Sequence, residues 1–410
     1  MTNRYKKSIL NLLNILHQAR IEPYENVEKW LTLQEKLINK LCYVEQRVRN
    51  CKAEIKNLNF KRKNPPIQLK KDESLLIKEK IKSLKYKIEE YNRVITILKS
   101  IGDGIAFTFI DKFDIKPQNA KESAGFISGK KGLKLEKKYL KKLYNEKIIT
   151  ILNDITSVLK YADLTIITDF GLVPIEVKSS KLTNNRIKRQ NDKANTLYDY
   201  LTKDITYGLY DNCHEVMVRV ESENSEINYI NRFNEVVATA ERKGFEYVRF
   251  EEGFSCFVSF QKVEDIVFEL KTKELGLTEP IHFYLNVNKF KDLGYYPFSL
   301  SFFEPKHYWD FLEGQLHVIM FIDFCVIKRI SINNGYSVKQ LKHENWAFSF
   351  KNLDPNSDAK AKEIRISKHY FCRSFMEFVS VKWLIKESFN MPSENQQEQI
   401  IGYNRADGNY

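Results

Sequence analysis

Between residues 28 and 60 the apolar positions Leu37, Leu41, Val44, Val48, Cys51, Ile55 and Leu58 recur in alternating steps of four and three. A second run, Ile77, Ile81, Leu84, Ile88, Tyr91, Ile95 and Leu98, repeats the rhythm. Such steps keep every member on one side of a helix, which is the coiled-coil pattern. Lys61-Arg62-Lys63-Asn64-Pro65-Pro66 separates the runs, and its paired prolines predict a helix stop. Two seams of similar length around a short breaker predict an antiparallel hairpin with a basic tip. Pairing with a second protomer or a partner protein is the competing arrangement, and the pattern does not separate the two. Ile101-Gly102-Asp103-Gly104 predicts the end of the second helix, because a glycine pair favours a stop and a turn.

The rhythm then changes. Residues 105–131 are mixed, with Pro117, Gly125 and Gly129 as breakers. A helix is predicted from about 132 to 148, two strands after it, and a helix from about 185 to 203. Beyond 213 come short strand-like runs (Val216–Val220, Tyr247–Phe250, Phe257–Phe260). Residues 228–243 predict an amphipathic helix, with Ile230, Phe233, Val236, Val237 and Ala240 at helical spacing. The predicted organisation is therefore a helical hairpin over 1–100, an α/β region over 101–204, an α+β domain of unknown role over 205–390 and a polar, flexible tail over 391–410.

Candidate chemistry sits between the two predicted strands of the α/β region. The stretch from Tyr161 to Lys178 has β-rich arms around Asp169-Phe170-Gly171-Leu172, which predicts a hairpin. With Phe170-Gly171 as the turn centre, Asp163 faces Lys178 and Thr165 faces Glu176. Period-two alternation then puts Asp163, Glu176 and Lys178 on one face, and Leu164, Ile166, Ile175 and Val177 on the other. Two carboxylates can supply oxygen ligands to Mg²⁺, and the carbonyl of Val177 can add a third. Lys178 can orient or help deprotonate an attacking water and offset charge at phosphorus.

Asp163, twelve further residues and Glu176-Val177-Lys178 on a predicted hairpin resemble the PD-(D/E)xK nuclease superfamily. The likeness covers roughly residues 130–205, and Ala162 stands where the literal motif has proline. It implies a restriction-endonuclease-like fold, a mixed four-stranded sheet flanked by helices. It also implies Mg²⁺-dependent hydrolysis of DNA, with Mn²⁺ able to substitute, in a setting such as restriction or anti-phage defence. The family often places a glutamate on the helix before the hairpin. Glu136, lying within the stripe Leu133, Leu140, Leu143 and Tyr144, takes that role by resemblance, with Glu146 a weaker alternative. On the helix after the hairpin, Gln190 interrupts the stripe Ile187, Ala194, Leu197 and Leu201, where relatives carry a site-directed glutamine. Arg186, Lys188 and Arg189 around it are candidates to meet phosphates.

Charge supports a polyanionic partner. Of the net +13, residues 1–200 carry 41 Lys and Arg against 23 Asp and Glu, a balance of +18, leaving −5 for the remainder. The half with the candidate site therefore holds the whole basic excess. Other function classes drop out. The longest apolar stretches, such as Leu316 to Ile322, are too short to span a bilayer. Six scattered cysteines without a CxxC pair argue against a disulfide framework or structural zinc, and a reducing cytoplasm is the expected location. Gly125-Phe126-Ile127-Ser128-Gly129-Lys130-Lys131 fails as a phosphate-binding loop, being one spacer short with Lys131 in the magnesium-ligand position. The alternative to an enzyme is a non-catalytic nucleic-acid-binding scaffold with a vestigial nuclease fold and coiled-coil partner recruitment.

Overall fold

The computed structural model of the chain describes residues 2–64, 70–118, 125–169, 171–177, 185–207, 216–218, 224–261, 273–285, 294–354 and 363–390. Lys178 and the tail expected over 391–410 lie outside them. The chain divides into two compact units, Met1–Met217 with Pro297–Leu300, and Val218–Tyr296 with Ser301–Tyr410. Both mix helices with β-strands. No helix among the described residues is long and apolar enough to cross a membrane.

The first unit opens with α1 (Lys6–Arg20), α2 (Val27–Lys63) and α3 (Lys71–Phe109). α2 and α3 pack antiparallel within the one chain. Trp30 meets Phe109 edge to face at 5.2 Å near one end, and Glu54 pairs with Lys80 at 2.7 Å toward the other. Of the heptad residues, Leu37, Leu41, Val44 and Val48 on α2 and Ile81, Leu84 and Leu98 on α3 are buried. Cys51, Ile55 and Leu58 are only half-buried. Nearer the base α1 docks with Ile9, Leu12, Leu13 and Leu16, and the buried face of α3 widens to Val94, Ile97 and Ile101. A third helix covers more than a two-helix seam can.

The expected helix stop at Gly102 is corrected, because α3 runs on to Phe109. Both glycines permit close packing instead. A Cβ on Gly102 would stand 2.1 Å from the carbonyl oxygen of Ile155, and one on Gly104 would stand 2.7 Å from Leu16 Cδ2. The boundary expected at residue 100 thus falls inside a continuous helix.

There follow α4 (Lys112–Gln118), α5 (Leu133–Asn145), β1 (Thr150–Leu152), β2 (Leu164–Thr168), β3 (Gly171–Ile175), α6 (Asn185–Lys203), β4 (Ile205–Tyr207) and β5 (Val216–Val218). Strands β1, β2 and β3 form an antiparallel sheet in chain order, while β4 pairs with β5 separately. The described pairings give these two small sheets in place of the single mixed sheet that the resemblance implied. α6 packs on β3, and its Leu197 and Tyr200 enclose Tyr161 in a small core.

The β2–β3 register also differs from expectation. Leu164 pairs with Ile175, Thr165 with Pro174 and Thr168 with Gly171, so the hairpin is centred one residue earlier than expected. Gly171, at φ +117°, leaves the turn in a conformation that suits glycine, and Thr168 Oγ1 donates to its carbonyl at 2.8 Å. Moving the turn centre by one residue slides the pairing by two. Within the paired residues 164–168 and 171–175, positions expected to share a face therefore still share one.

In the second unit, β6 (Phe245–Glu251), β7 (Phe254–Ser259), β8 (Pro280–Tyr284) and β9 (His317–Asp323) form an antiparallel sheet of order β6-β7-β9-β8. α7 (Ile230–Lys243) covers it with the apolar stripe read from the sequence, burying Phe233, Val236, Val237 and Ala240. A second sheet joins β10 (Tyr336–Gln340), β11 (Trp346–Asn352) and β12 (Glu363–Ser367). Arg373, fully buried, is neutralised by Glu377 at 2.8 Å and by Glu226.

Candidate functional site

Four charged side chains converge at the edge of the β1–β3 sheet. Lys130 Nζ lies 2.8 Å from Asp154 Oδ2, 2.8 Å from Asp163 Oδ1 and 3.1 Å from Glu136 Oε1. Each carboxylate comes from a different element. Glu136 is on the first turn of α5, Asp154 on the 3-10 turn Asn153–Ile155 that follows β1, and Asp163 immediately before β2. Glu136 is 1% exposed, whereas the Lys130 side chain keeps 34% of its surface, so the cage is closed behind and open in front.

Backbone and buried polar groups hold each member in place. Val177 N–H donates to Asp163 Oδ2 at 3.0 Å, tying the end of the β3 arm to the acid. Ala162, just ahead of Asp163, has φ +64°, a left-handed conformation that costs a non-glycine residue on the order of 1 kcal/mol. Proline, locked near φ −65°, could not adopt it. Buried Asn153 keeps this bend in shape. Its amide donates to the Tyr161 carbonyl, and its Oδ1 accepts from Thr165 Oγ1 at 2.8 Å.

The long helices reach into the site from behind. On α2, buried Gln34 donates to Tyr144 OH and the Thr150 carbonyl, each at 2.8 Å, and accepts Leu152 N–H at 2.9 Å. One side chain thus locks α5 and β1 to α2. Eleven residues along, buried Glu45 accepts Ser128 N–H at 2.7 Å, and Arg49 donates to the Ser128 carbonyl. These two bonds anchor the loop that delivers Lys130. From α3, Asp103 accepts Ser157 N–H and Ser157 Oγ, both at 2.6 Å, and Val158 N–H at 3.3 Å. With the Gly102 contact, it fixes the segment carrying Asp154.

The electrostatics follow from this packing. Burial pushes the Glu136 carboxyl up, only partly opposed by Lys130 and reinforced by Asp163 and Asp154. Burial works against the Lys130 ammonium, but Asp154 and Asp163 outweigh it and hold the lysine well above its ordinary range. Glu136 Oε2 is buried without a hydrogen-bond partner, and a Cβ on Gly132 would sit 2.7 Å from Glu136 Oε1. A buried acceptor with a spare lone pair is costly unless something positive meets it.

Among the residues expected at the site, the structure brings Asp163 and Glu136 together. Continuing the strand register past β3 sets Glu176, rather than Lys178, opposite Asp163, and Thr165 faces Pro174 rather than Glu176. Glu176 is half-buried beyond the strand end. Val177 contributes through its N–H, whereas the expectation was its carbonyl. Lys178 lies outside the described residues. Arg186, Lys188, Arg189 and Gln190 are on the first turns of α6, with only their backbone described. Lys130 and Asp154 were missed. Lys130 sits in the stretch dismissed as a failed phosphate loop, and its signal was a glycine-flanked lysine six residues before an inward glutamate.

Among the described residues, no three acidic, histidine or cysteine side chains are placed to hold a metal ion as they stand. The three carboxylates bracket an ammonium at 2.8–3.1 Å, whereas Mg²⁺ draws its oxygens to roughly 2.0–2.1 Å. The donor chemistry still suits a hard divalent ion: three carboxylates, one buried with an unused oxygen. Comparison with protein-family models, curated proteins and solved structures found no match to this chain.

Proposed function

We propose that the chain is a divalent-metal-dependent nuclease that hydrolyses DNA phosphodiester bonds. The observation that carries this reading is the convergence of Glu136, Asp154 and Asp163 on one cationic position open to solvent. Glu136, Asp154 and Asp163 would hold Mg²⁺ or Mn²⁺, and Glu176, one residue past β3, remains the further acid that the resemblance implies. Bound there, the ion would polarise a phosphoryl oxygen and lower the pKa of its water. Val177 N–H and Asn153 orient Asp163 and its flanking backbone, which limits the reorganisation needed when phosphate arrives. The basic excess of the first 200 residues favours a polyanionic substrate, and the PD-(D/E)xK resemblance narrows it to DNA, in restriction or anti-phage defence.

One observation favours a second reading, a nucleic-acid-binding scaffold with a vestigial site: the cage already holds an internal ammonium. Plasmid DNA incubated with and without Mg²⁺ or Mn²⁺ separates the two. Cleavage that needs metal and is lost in Asp163→Ala, with the fold intact by circular dichroism, is the expected result. Metal-independent binding with strong salt dependence and no cleavage by the wild-type chain would leave the scaffold.

A further inference from the structure

We infer that Lys130 is an exchangeable internal counter-ion, whose ammonium occupies the position a divalent ion takes and leaves the cage when that ion binds. The inference rests on the metal-site reading above and goes further, by assigning what fills the site without metal.

Four features of the geometry carry it. First, Lys130 Nζ touches one oxygen from each carboxylate, at 2.8, 2.8 and 3.1 Å, as a central cation does. A small hard ion would draw the same oxygens inward by roughly 0.7–1.0 Å, so the two cations cannot share the cage. Second, the exits differ. Glu136 is closed in by protein, while the Lys130 side chain is one-third exposed on a flexible four-carbon stem and can swing into water. Third, the backbone beneath Lys130 stays put, because Glu45 and Arg49 clamp Ser128 two residues earlier. Exchange then moves a side chain and leaves the loop in place. Fourth, Lys130 leaves Glu136 Oε2 unsatisfied, and one positive charge faces three acids. A divalent ion offers more charge and more coordination positions, so the cage suits it better than the lysine it holds. The displaced ammonium, still tethered at the site mouth, is then free to meet a phosphate.

The full-length chain tests this with Mn²⁺ as the probe. Lys130→Met keeps the stem and removes the charge. Without metal it should melt below wild type, since three acids then face one another, and Mn²⁺ should restore the melting temperature. By calorimetry its Mn²⁺ dissociation constant should be about tenfold lower than wild type, because no ammonium competes, whereas Lys130→Arg should bind no more tightly than wild type. In the wild-type chain, amine-reactive labelling of Lys130, read by mass spectrometry, should rise several-fold at saturating Mn²⁺. That measurement holds even if Lys130→Met fails to fold. Equal affinities for wild type and Lys130→Met, or labelling indifferent to bound Mn²⁺, would make Lys130 a fixed strut and overturn the exchange. Metal-dependent plasmid cleavage lost in Asp163→Ala alongside those results would leave the nuclease reading standing. Tight Mn²⁺ binding by Lys130→Met with no cleavage by the wild-type chain would sink the nuclease reading and keep the exchange.

Discussion

Replacing Gly102 with alanine sets two opposing effects against each other, and the structure decides the sign. In the middle of a helix, Gly→Ala ordinarily stabilises by about 1 kcal/mol. Here the new Cβ would stand 2.1 Å from the Ile155 carbonyl oxygen and 2.9 Å from its carbon, both backbone atoms that cannot rotate away. Relieving the clash means moving α3 and the 153–158 segment apart by roughly 1 Å, and overpacking of a closed interface costs about 1–3 kcal/mol. The same movement stretches the three hydrogen bonds that Asp103 accepts, which adds to the loss. The expected net change is a destabilisation of about 2 kcal/mol in urea unfolding followed by circular dichroism. Gly104→Ala is the matched control. Its Cβ would meet Leu16 Cδ2 at 2.7 Å, the end of a flexible side chain, so the loss should be largely offset by helix propensity and stay within about 1 kcal/mol of wild type. Because the displaced segment carries Asp154, Gly102→Ala should also weaken Mn²⁺ binding while Gly104→Ala leaves it unchanged. A Gly102→Ala chain as stable as wild type, or more so, would refute the close approach.

Asp103 should make the fold sensitive to pH. Burial pushes its carboxyl up to about 6, against the bonds from Ser157, so the folded chain holds a proton that the unfolded chain releases near pH 4. Its contribution is therefore present in acid and lost as pH rises from about 4 through about 6, on the order of 3 kcal/mol. Asp103→Asn should flatten that part of the urea-midpoint profile, and an unchanged slope between pH 4 and 7 would count against the buried ionisation. On α5, Lys134, Lys138 and Lys142 are exposed on the side away from Glu136. Changing all three to Gln should make the salt dependence of duplex DNA binding shallower by about 2–3 in log–log slope, with the metal-dissociation constant unaltered. A slope equal to wild type would remove this face from the DNA-binding surface.

How much was legible depended on whether a signal was local. The heptads of α2 and α3 and the stripe of α7 are periodicities within one element, and their helices form where the spacing put them, with Leu37, Leu41, Val44, Val48, Ile81, Leu84 and Leu98 of the seams and Phe233, Val236, Val237 and Ala240 of the stripe buried. The β2–β3 turn was misplaced by one residue, an error that moved the register by an even number and left the pairing parity of residues 164–168 and 171–175 unchanged. What failed was long-range. Gly102 reads locally as a helix stop, and only the packing of Ile155, some fifty residues on, shows why glycine is needed there. Gln34 and Glu45 on α2 find their partners, β1 and the Ser128 loop, 118 and 83 residues further along the chain, so no local spacing marks them. Lys130 and Asp154 carry no spacing that links them, since the loop and the turn that bear them meet only in three dimensions.

The helical hairpin is therefore inseparable from the site it was expected to flank. Three carboxylates from three elements repel one another, so local sequence alone would splay them unless each element is held from behind. α2 supplies two anchors, Gln34 for α5 and β1, and Glu45 with Arg49 for the Lys130 loop. α3 supplies the third through Asp103 and Gly102. The anchors are buried polar groups that satisfy backbone donors and acceptors of the site elements, a task apolar packing cannot perform with the same directionality. Charge density at the cage is thus sustained by hydrogen-bonded struts from the base of a coiled coil. On the proposed metal-site reading, substitutions at those struts should weaken Mn²⁺ binding without altering any of the three carboxylates.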